Sequence, residues 1–175
     1  MLKLCIPTPD ELWLRKMMLE DAATMSYNHA YGGTIDFPES RWEEWYAKWV
    51  SCSDGSRYYG YLKDGDTFVG EAAYHLEGGR WLADILIYAP QRGKGYGREA
   101  LSLLIEKAAE NGIEELFDSI AADNVAAISL FSSLGFETVK KDSETVLVRK
   151  RIFCKYDRHI RAGASRKSIS PAGRK

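Results

Sequence analysis

The stretch that most constrains the chain runs from residue 84 to residue 98, DILIYAPQRGKGYGR. An apolar run opens it and reads as a buried strand. A tight turn follows, with glycines at Gly93, Gly95 and Gly97. From Glu99 to Asn111 the residues Ala100, Leu101, Leu104, Ile105 and Ala108 then recur on one helical face. Strand, glycine turn and helix start together make a device for holding phosphate. The first turn of a helix leaves backbone N–H groups without partners. Glycine lets the main chain approach a ligand closely, so those groups and the positive end of the helix dipole can face an anion. Arg92, Lys94 and Arg98 add full positive charge.

Two common phosphate loops do not fit. The nucleotide-triphosphate loop needs Gly-x-x-x-x-Gly-Lys-Ser/Thr, which is absent. The dinucleotide fingerprint Gly-x-Gly-x-x-Gly, started at Gly93, meets Arg98 at its last position. What the chain has is Arg92-x-x-Gly95-x-Gly97 between a strand and a helix. This resembles the acetyl-CoA loop of the GNAT acetyltransferases, Gln/Arg-x-x-Gly-x-Gly/Ala. The segment from Asn124 to Phe136, NVAAISLFSSLGF, is similar to that family's Asn-x-x-Ala-x-x-Leu-Tyr-x-x-x-Gly-Phe. The two segments stand at a suitable spacing, and the likeness covers residues 57 to 150 well. The resemblance is to uncharacterised bacterial members.

The resemblance implies an α/β fold: a mixed sheet, antiparallel strands then a parallel pair, helices on both faces. It implies N-acetyl transfer from acetyl-CoA to a primary amine by direct attack, with no metal. Cofactor contacts carry over to Ile87, Tyr88, Ala89, Arg92, Gly93, Lys94, Gly95, Tyr96, Gly97 and Arg98 around the loop, and to Asn124 and Phe131 on the pantetheine arm. A backbone N–H near Ile87 or Tyr88 would receive the thioester oxygen. Phe131 departs from the pattern, because many members carry tyrosine there to protonate the sulfur. Phenylalanine has no proton to give, which leaves Ser129, Ser132, Tyr88 or a water to supply it. A module that binds acyl-CoA without catalysis is therefore one alternative, and a protein-lysine or N-terminal acetyltransferase is another. Family members often pair, which leaves a homodimer open.

The chemistry sets its own demands. An amine of pKa near 10.4 is free in only about one molecule in 2,500 at pH 7, a handicap of roughly 4.6 kcal/mol. A thiol of pKa near 8.5 leaves with far less help. A base for the acceptor is thus the first need. Asp84, within the apolar run, is the first candidate, against a purely structural carboxylate. Glu71, beside Gly70, is the second, against a solvated strand face. The acceptor region would hold Tyr27, Asn28, His29, Tyr31, Asp36, Glu39, Glu43 and Glu44, acidic and aromatic groups that suit a cationic amine.

The rest reads in order. Leu12–Arg15 is expected as a first strand, and Leu19–Tyr31 as a helix closed by Gly32-Gly33. Ser40-x-x-Glu43 fits a capping box ahead of Trp42, Trp45, Tyr46 and Trp49, an aromatic face that reads as core or as a wall of the acceptor pocket. Strands over 57–62, 67–76 and 81–88 form an antiparallel meander; 116–121 follows a helical crossover and is parallel to the strand before the loop. A helix capped by Asp123 or Asn124 runs to Leu134, and strands over 137–141 and 146–153 close the domain. One domain over 1–156 is expected, then a basic tail over 157–175, a solvated run. A net charge of −1 provides no field for nucleic acid or an anionic membrane. Cys5, Cys52 and Cys154 are odd in number and scattered, which points to a reducing, cytoplasmic setting and to no metal site.

Overall fold

A computed structural model gives the arrangement; it describes residues 1–52 and 54–152, without the side chains of Ala30 and Tyr31. Cys154, the tail over 157–175 and the end of the last expected strand lie outside the described residues. Seven strands form one sheet in the order β1-β2-β3-β4-β5-β7-β6. They are β1 Leu2–Cys5, β2 Arg57–Asp64, β3 Thr67–Glu77, β4 Arg80–Ile87, β5 Glu115–Ala121, β6 Glu137–Lys141 and β7 Thr145–Arg151. All neighbours are antiparallel except β4 and β5. The helices are α1 Trp13–Glu20, α2 Trp42–Trp49, α3 Tyr96–Glu110 and α4 Val125–Ser133. The expected mixed sheet is present. Among the described residues no helix is long and apolar enough to cross a membrane.

Period-two alternation sends neighbouring strand residues to two different cores. Val69, Ala72, Tyr74 and Ala83 meet Ala100, Leu101, Leu104 and Ala108 of α3, and Phe131 of α4 joins that core. Tyr59, Tyr61, Ala73 and Leu86 meet Leu14, Met18 and Leu19 of α1 on the opposite side, with Trp42, Trp45, Tyr46 and Trp49 of α2 packed against them.

The N-terminal third departs from expectation. Leu12–Arg15 is helical, and the first strand is Leu2–Cys5, paired with β2 along the edge. The helix start lies upstream: Pro9 opens a 3₁₀ turn, and the Thr8 N–H donates to Glu11 Oε2 at 2.9 Å. Leu14, Met18 and Leu19 then fall on one buried helical face. The expected helix over 19–31 breaks at Asp21, which is extended and whose Oδ2 accepts the Thr24 N–H at 2.9 Å. A 3₁₀ segment, Thr24–Tyr31, restarts from that cap and ends at Gly32, φ 99°. The Ser40–Glu43 box does not form. Pro38 starts the turn earlier, Ser40 lies inside it, and Trp42 Nε1 donates to the Phe37 carbonyl at 3.2 Å.

Gly70 brings β3 and β4 together. A Cβ there would sit 2.2 Å from the Leu86 carbonyl oxygen. Val69 is the extra residue of a bulge, because Leu62 faces Gly70 while Lys63 faces Phe68.

Candidate active site

Strands β4 and β5 pair at Leu82 and Phe117 and part beyond. A cavity of about 940 Å³ opens along the parting and reaches both layers of helices. Ile87, Arg92, Gly93, Gly95, Tyr96, Gly97, Asn124 and Phe131 line it, as do Asp84 and Glu71. Tyr88, Ala89, Lys94 and Arg98 were expected there and do not line it.

At the mouth, Gly93 and Gly95 have φ of 77° and 86°, with open space where a Cβ would project. The backbone N–H groups from Gly93 to Gly97 make no hydrogen bond among the described residues, while those of Arg98 and Glu99 turn back to the Gly95 carbonyl. A nest of free donors therefore heads α3. The cations beside it have other partners. Arg92 donates to the carbonyls of Ile87 at 3.1 Å, Ala23 at 3.0 Å and Thr24, strapping the end of β4 to the 3₁₀ segment. Lys94 Nζ reaches Gln91 Oε1 at 2.7 Å, and Arg98 reaches Ser133 Oγ on α4 at 2.7 Å. The Tyr96 hydroxyl turns away to Asp64 Oδ2 at 2.8 Å.

Along β4 the N–H groups alternate between β3 and the parting. Tyr88 N–H donates to the Val69 carbonyl at 2.9 Å, so the N–H groups of Ile87 and Ile85 face the opening. That corrects one of two expected donors: Tyr88 N–H is already taken. Ala89 N–H is also taken, by Thr24 Oγ1 at 3.0 Å. Asn124 caps α4, its Oδ1 accepting the Ala127 N–H at 3.1 Å.

The carboxylates differ sharply. Asp84 is exposed to the cavity, its side chain 61% accessible, and lies 3.2 Å from His75 Nδ1. It is not sealed in an apolar strand, because its face of β4 borders open space. Asp84 and then burial act oppositely on His75, and the nearby Asp84 carboxylate wins, holding the imidazole above its ordinary value. Glu71 is the reverse. The expected solvated face is buried at 8% exposure. Arg15 and the Tyr59 hydroxyl both donate to Glu71. Burial opposes the charge of Arg15, and Glu71 more than offsets it.

The aromatic face packs against the α1 core and partly borders the cavity. Trp45 and Trp49 line the cavity, while Trp42 and Tyr46 do not. Yet the ring of Trp45 already carries the Arg15 guanidinium at 4.5 Å, and Trp49 carries that of Arg57 at 5.2 Å. Tyr27 completes the wall; burial first, then Glu71 and Asp84, hold its phenol above the ordinary range.

His75 and Asp118 line the cavity and escaped the sequence reading of the site. His75 sits diagonally across from Asp84, since Ala73 pairs with Asp84 and His75 with Leu82. The hairpin turn at Gly78-Gly79 fixes that register and would have revealed it. Asp118 lines the cavity from β5. Its carboxyl is held well above the ordinary range by burial first and by Asp84 second. An acid between Leu116 and Ile120 in a core strand was the available signal. Among the described residues no cluster of three or more His, Cys, Asp or Glu has the arrangement of a metal site.

Comparison with known proteins agrees with this geometry. The model of the acetyltransferase (GNAT) family matches residues 17–136. An uncharacterised N-acetyltransferase of Bacillus subtilis, YobR, is 32% identical over 81 residues, 46% of this chain and 32% of that protein. The L-methionine sulfoximine/L-methionine sulfone acetyltransferase of Pseudomonas aeruginosa is 39% identical over 64 residues, 35% of this chain and 37% of that protein. The chain thus spans only about a third of the length of these two relatives. Among solved structures, spermidine N-acetyltransferase from Vibrio cholerae, in complex with CoA and spermine, superposes with a TM-score of 0.72 at 16% identity, covering 86% of this chain and 95% of that one. With the family model spanning the parted strands, the glycine nest and the capped helix beyond, the chain belongs to the acetyltransferase (GNAT) family.

Proposed function

We propose that the protein transfers the acetyl group of acetyl-CoA to a primary amine of a small cationic acceptor, by direct attack of the amine on the thioester. The observation that carries this is the nest at Gly93–Gly97: consecutive free N–H groups at the head of α3, opening into the parting of β4 and β5. These residues fit a diphosphate followed by a long, thin arm. Gly93 and Gly95 leave room for the phosphates, and Gly97 lets α3 approach Leu130 of α4, which a Cβ would meet at 3.3 Å. The arm would lie in the parting, with the Ile87 and Ile85 N–H groups toward it. Bound acetyl-CoA supplies an activated acyl group, and Ile85 or Ile87 N–H holds the thioester oxygen.

The acceptor end is acidic. Asp84 faces it, Tyr27, Trp45 and Trp49 wall it, and the positive charge of Arg15 is matched by Glu71. Asp84 is the base for the ammonium, directly or through water. Glu71 positions Arg15 and the wall, because both of its partners are already donors. The spermidine and methionine sulfoximine enzymes act on compounds that carry amines, which supports an amine acceptor here.

The test is thiol release from acetyl-CoA against a panel of amines, with coenzyme A binding followed by calorimetry. Gly95→Glu places a carboxylate in the nest, where a Cβ meets no protein atom, and strains the backbone at φ 86° by about 1–2 kcal/mol; it should abolish coenzyme A binding, with urea unfolding showing that the fold survives the strain. Normal coenzyme A affinity in that variant would remove the nest from the site. Binding to the parent with no thiol release over the whole panel would favour a non-catalytic acyl-CoA module, the reading that Phe131 keeps open.

A further inference from the structure

We propose that the Asp118 carboxyl is the acid that protonates the coenzyme A sulfur as it leaves, the step for which Phe131 has no proton. This rests on the acetyl-CoA reading of the parted strands. Asp118 stands one residue beyond Phe117, which pairs with Leu82 where β4 and β5 last meet. It is therefore at the vertex of the parting, the end remote from the glycine nest. In the parallel register Asp118 is level with Ala83, two residues or about 7 Å of strand from Ile85 at ~3.3 Å per residue, so a thioester held at the Ile85 N–H, the nearer of the two donors, has its sulfur toward Asp118.

The face matters as much as the position. Leu116 and Ile120 are buried in the core that contains Phe131. Asp118 alternates between them and takes the same face. Asp84, with Ala73 and Leu86, is on the opposite face, toward the acceptor cavity. Two carboxyl groups thus reach the parting from its two sides, one beside the amine and one beside Phe131. The Asp118 carboxyl has no side-chain partner among the described residues. Across β7 it faces Val148, and the cavity wall from α4 near Phe131 is Ala127 and Leu130, all uncharged. Asp84 is the charged group whose field reaches it, and with burial it favours the neutral acid. A neutral acid is what a departing thiolate requires.

The step balances. The amine nitrogen forms its bond to the acyl carbon, the carbon–sulfur bond breaks, and the sulfur takes the proton of Asp118. The ammonium sheds two protons, one before attack and one as the amide forms; both pass through Asp84 to solvent, and Asp118 recovers one from solvent. One ammonium and one thioester give one amide, one thiol and one released proton.

The experiment compares the parent with Asp118→Asn, which is isosteric and also neutral. Infrared spectra of the protein alone at pH 7 should show a protonated-carboxyl band that the variant lacks. Thiolate absorbance of bound coenzyme A should then rise at a different pH in the two proteins, by about one unit, because in the parent Asp118 and the thiol titrate as a coupled pair. With the best amine of the panel, Asp118→Asn should slow thiol release roughly 10²-fold and remove the alkaline fall in rate. Adding Phe131→Tyr to Asp118→Asn should recover about tenfold. Equal thiolate midpoints in the two complexes would overturn the proposal, as would loss of an acidic rather than an alkaline limb. Failure of the parent to bind coenzyme A at all, read by calorimetry, would instead overturn the cofactor reading.

Discussion

Asp84 and His75 form a pair whose consequence is a sign that can be measured. The imidazole is raised above 6.5 by Asp84, so its charged form is favoured in the fold. A group raised in this way contributes stability that is fully present below its unfolded pKa. That contribution is lost as pH rises through the higher folded value. The window therefore starts near pH 6.5 and extends upward. Asp84 is largely accessible, and solvent screens the pair to about 0.5 kcal/mol. Proton NMR of His75 should show a pKa above 6.5 in the parent that drops in Asp84→Asn. Urea unfolding should show the parent losing its small advantage over that variant between pH 6 and 8. An identical His75 titration in both proteins would separate the two residues. Glu71 shows how burial changes a role. The sequence offers it as an alternating strand residue with a solvated side chain. Arg15 and Tyr59 arrive from elements far apart in the chain, and no local pattern reports them.

At the scale of elements, the glycine turn and its flanking strand and helix were legible because each signal there is local. Gly93 and Gly95 need positive φ, and the helix that follows has a clear apolar stripe. The meander was legible for the same reason, through its turns at Asp64–Asp66 and Gly78-Gly79. The N-terminal third was not. Leu12-Trp13-Leu14 alternates like a strand, and only the Pro9 and Glu11 start signal before it argues for a helix. The edge strand Leu2–Cys5 is too short to show a period. Ser40 and Glu43 had the spacing of a capping box, but Pro38 sets the start of the turn two residues earlier. Gly70 is the element-level position most exposed to test. Its Cβ would lie 2.2 Å from a backbone oxygen, which a side-chain rotation cannot relieve. Gly70→Ala must push β3 and β4 apart beside Ile87, at a cost of about 1–3 kcal/mol. Urea unfolding should record that loss, and coenzyme A affinity should fall with it because the Ile87 N–H moves. Full stability in Gly70→Ala would show that the bulge at Val69 absorbs the methyl group.

For the whole molecule, the cavity lies where two cores fail to meet. The sheet separates the α3 core from the α1–α2 core, and the parting of β4 and β5 lets one space border both. An apolar plug would close that gap in a purely structural domain. Here it is lined by Asp84, Asp118 and Asn124 and capped by unpaired N–H groups. Such a gap weakens the link between the two halves of the sheet, which pair at a single position. A ligand that bridges them should therefore stabilise the molecule as one unit. At a coenzyme A concentration one hundred times its dissociation constant, binding contributes about 2.7 kcal/mol. For a domain of this size that corresponds to a rise in melting temperature of roughly 5–10 °C. Hydrogen exchange should slow at residues 93–97 and on the facing edges of β4 and β5, and little at β1 or β6, which lie at the two rims of the sheet. Protection confined to the turn, with β4 and β5 unchanged, would mean that the diphosphate binds while the arm lies elsewhere. The acceptor layer and the parted strands would then work separately, and Asp84 could not meet the acyl carbon.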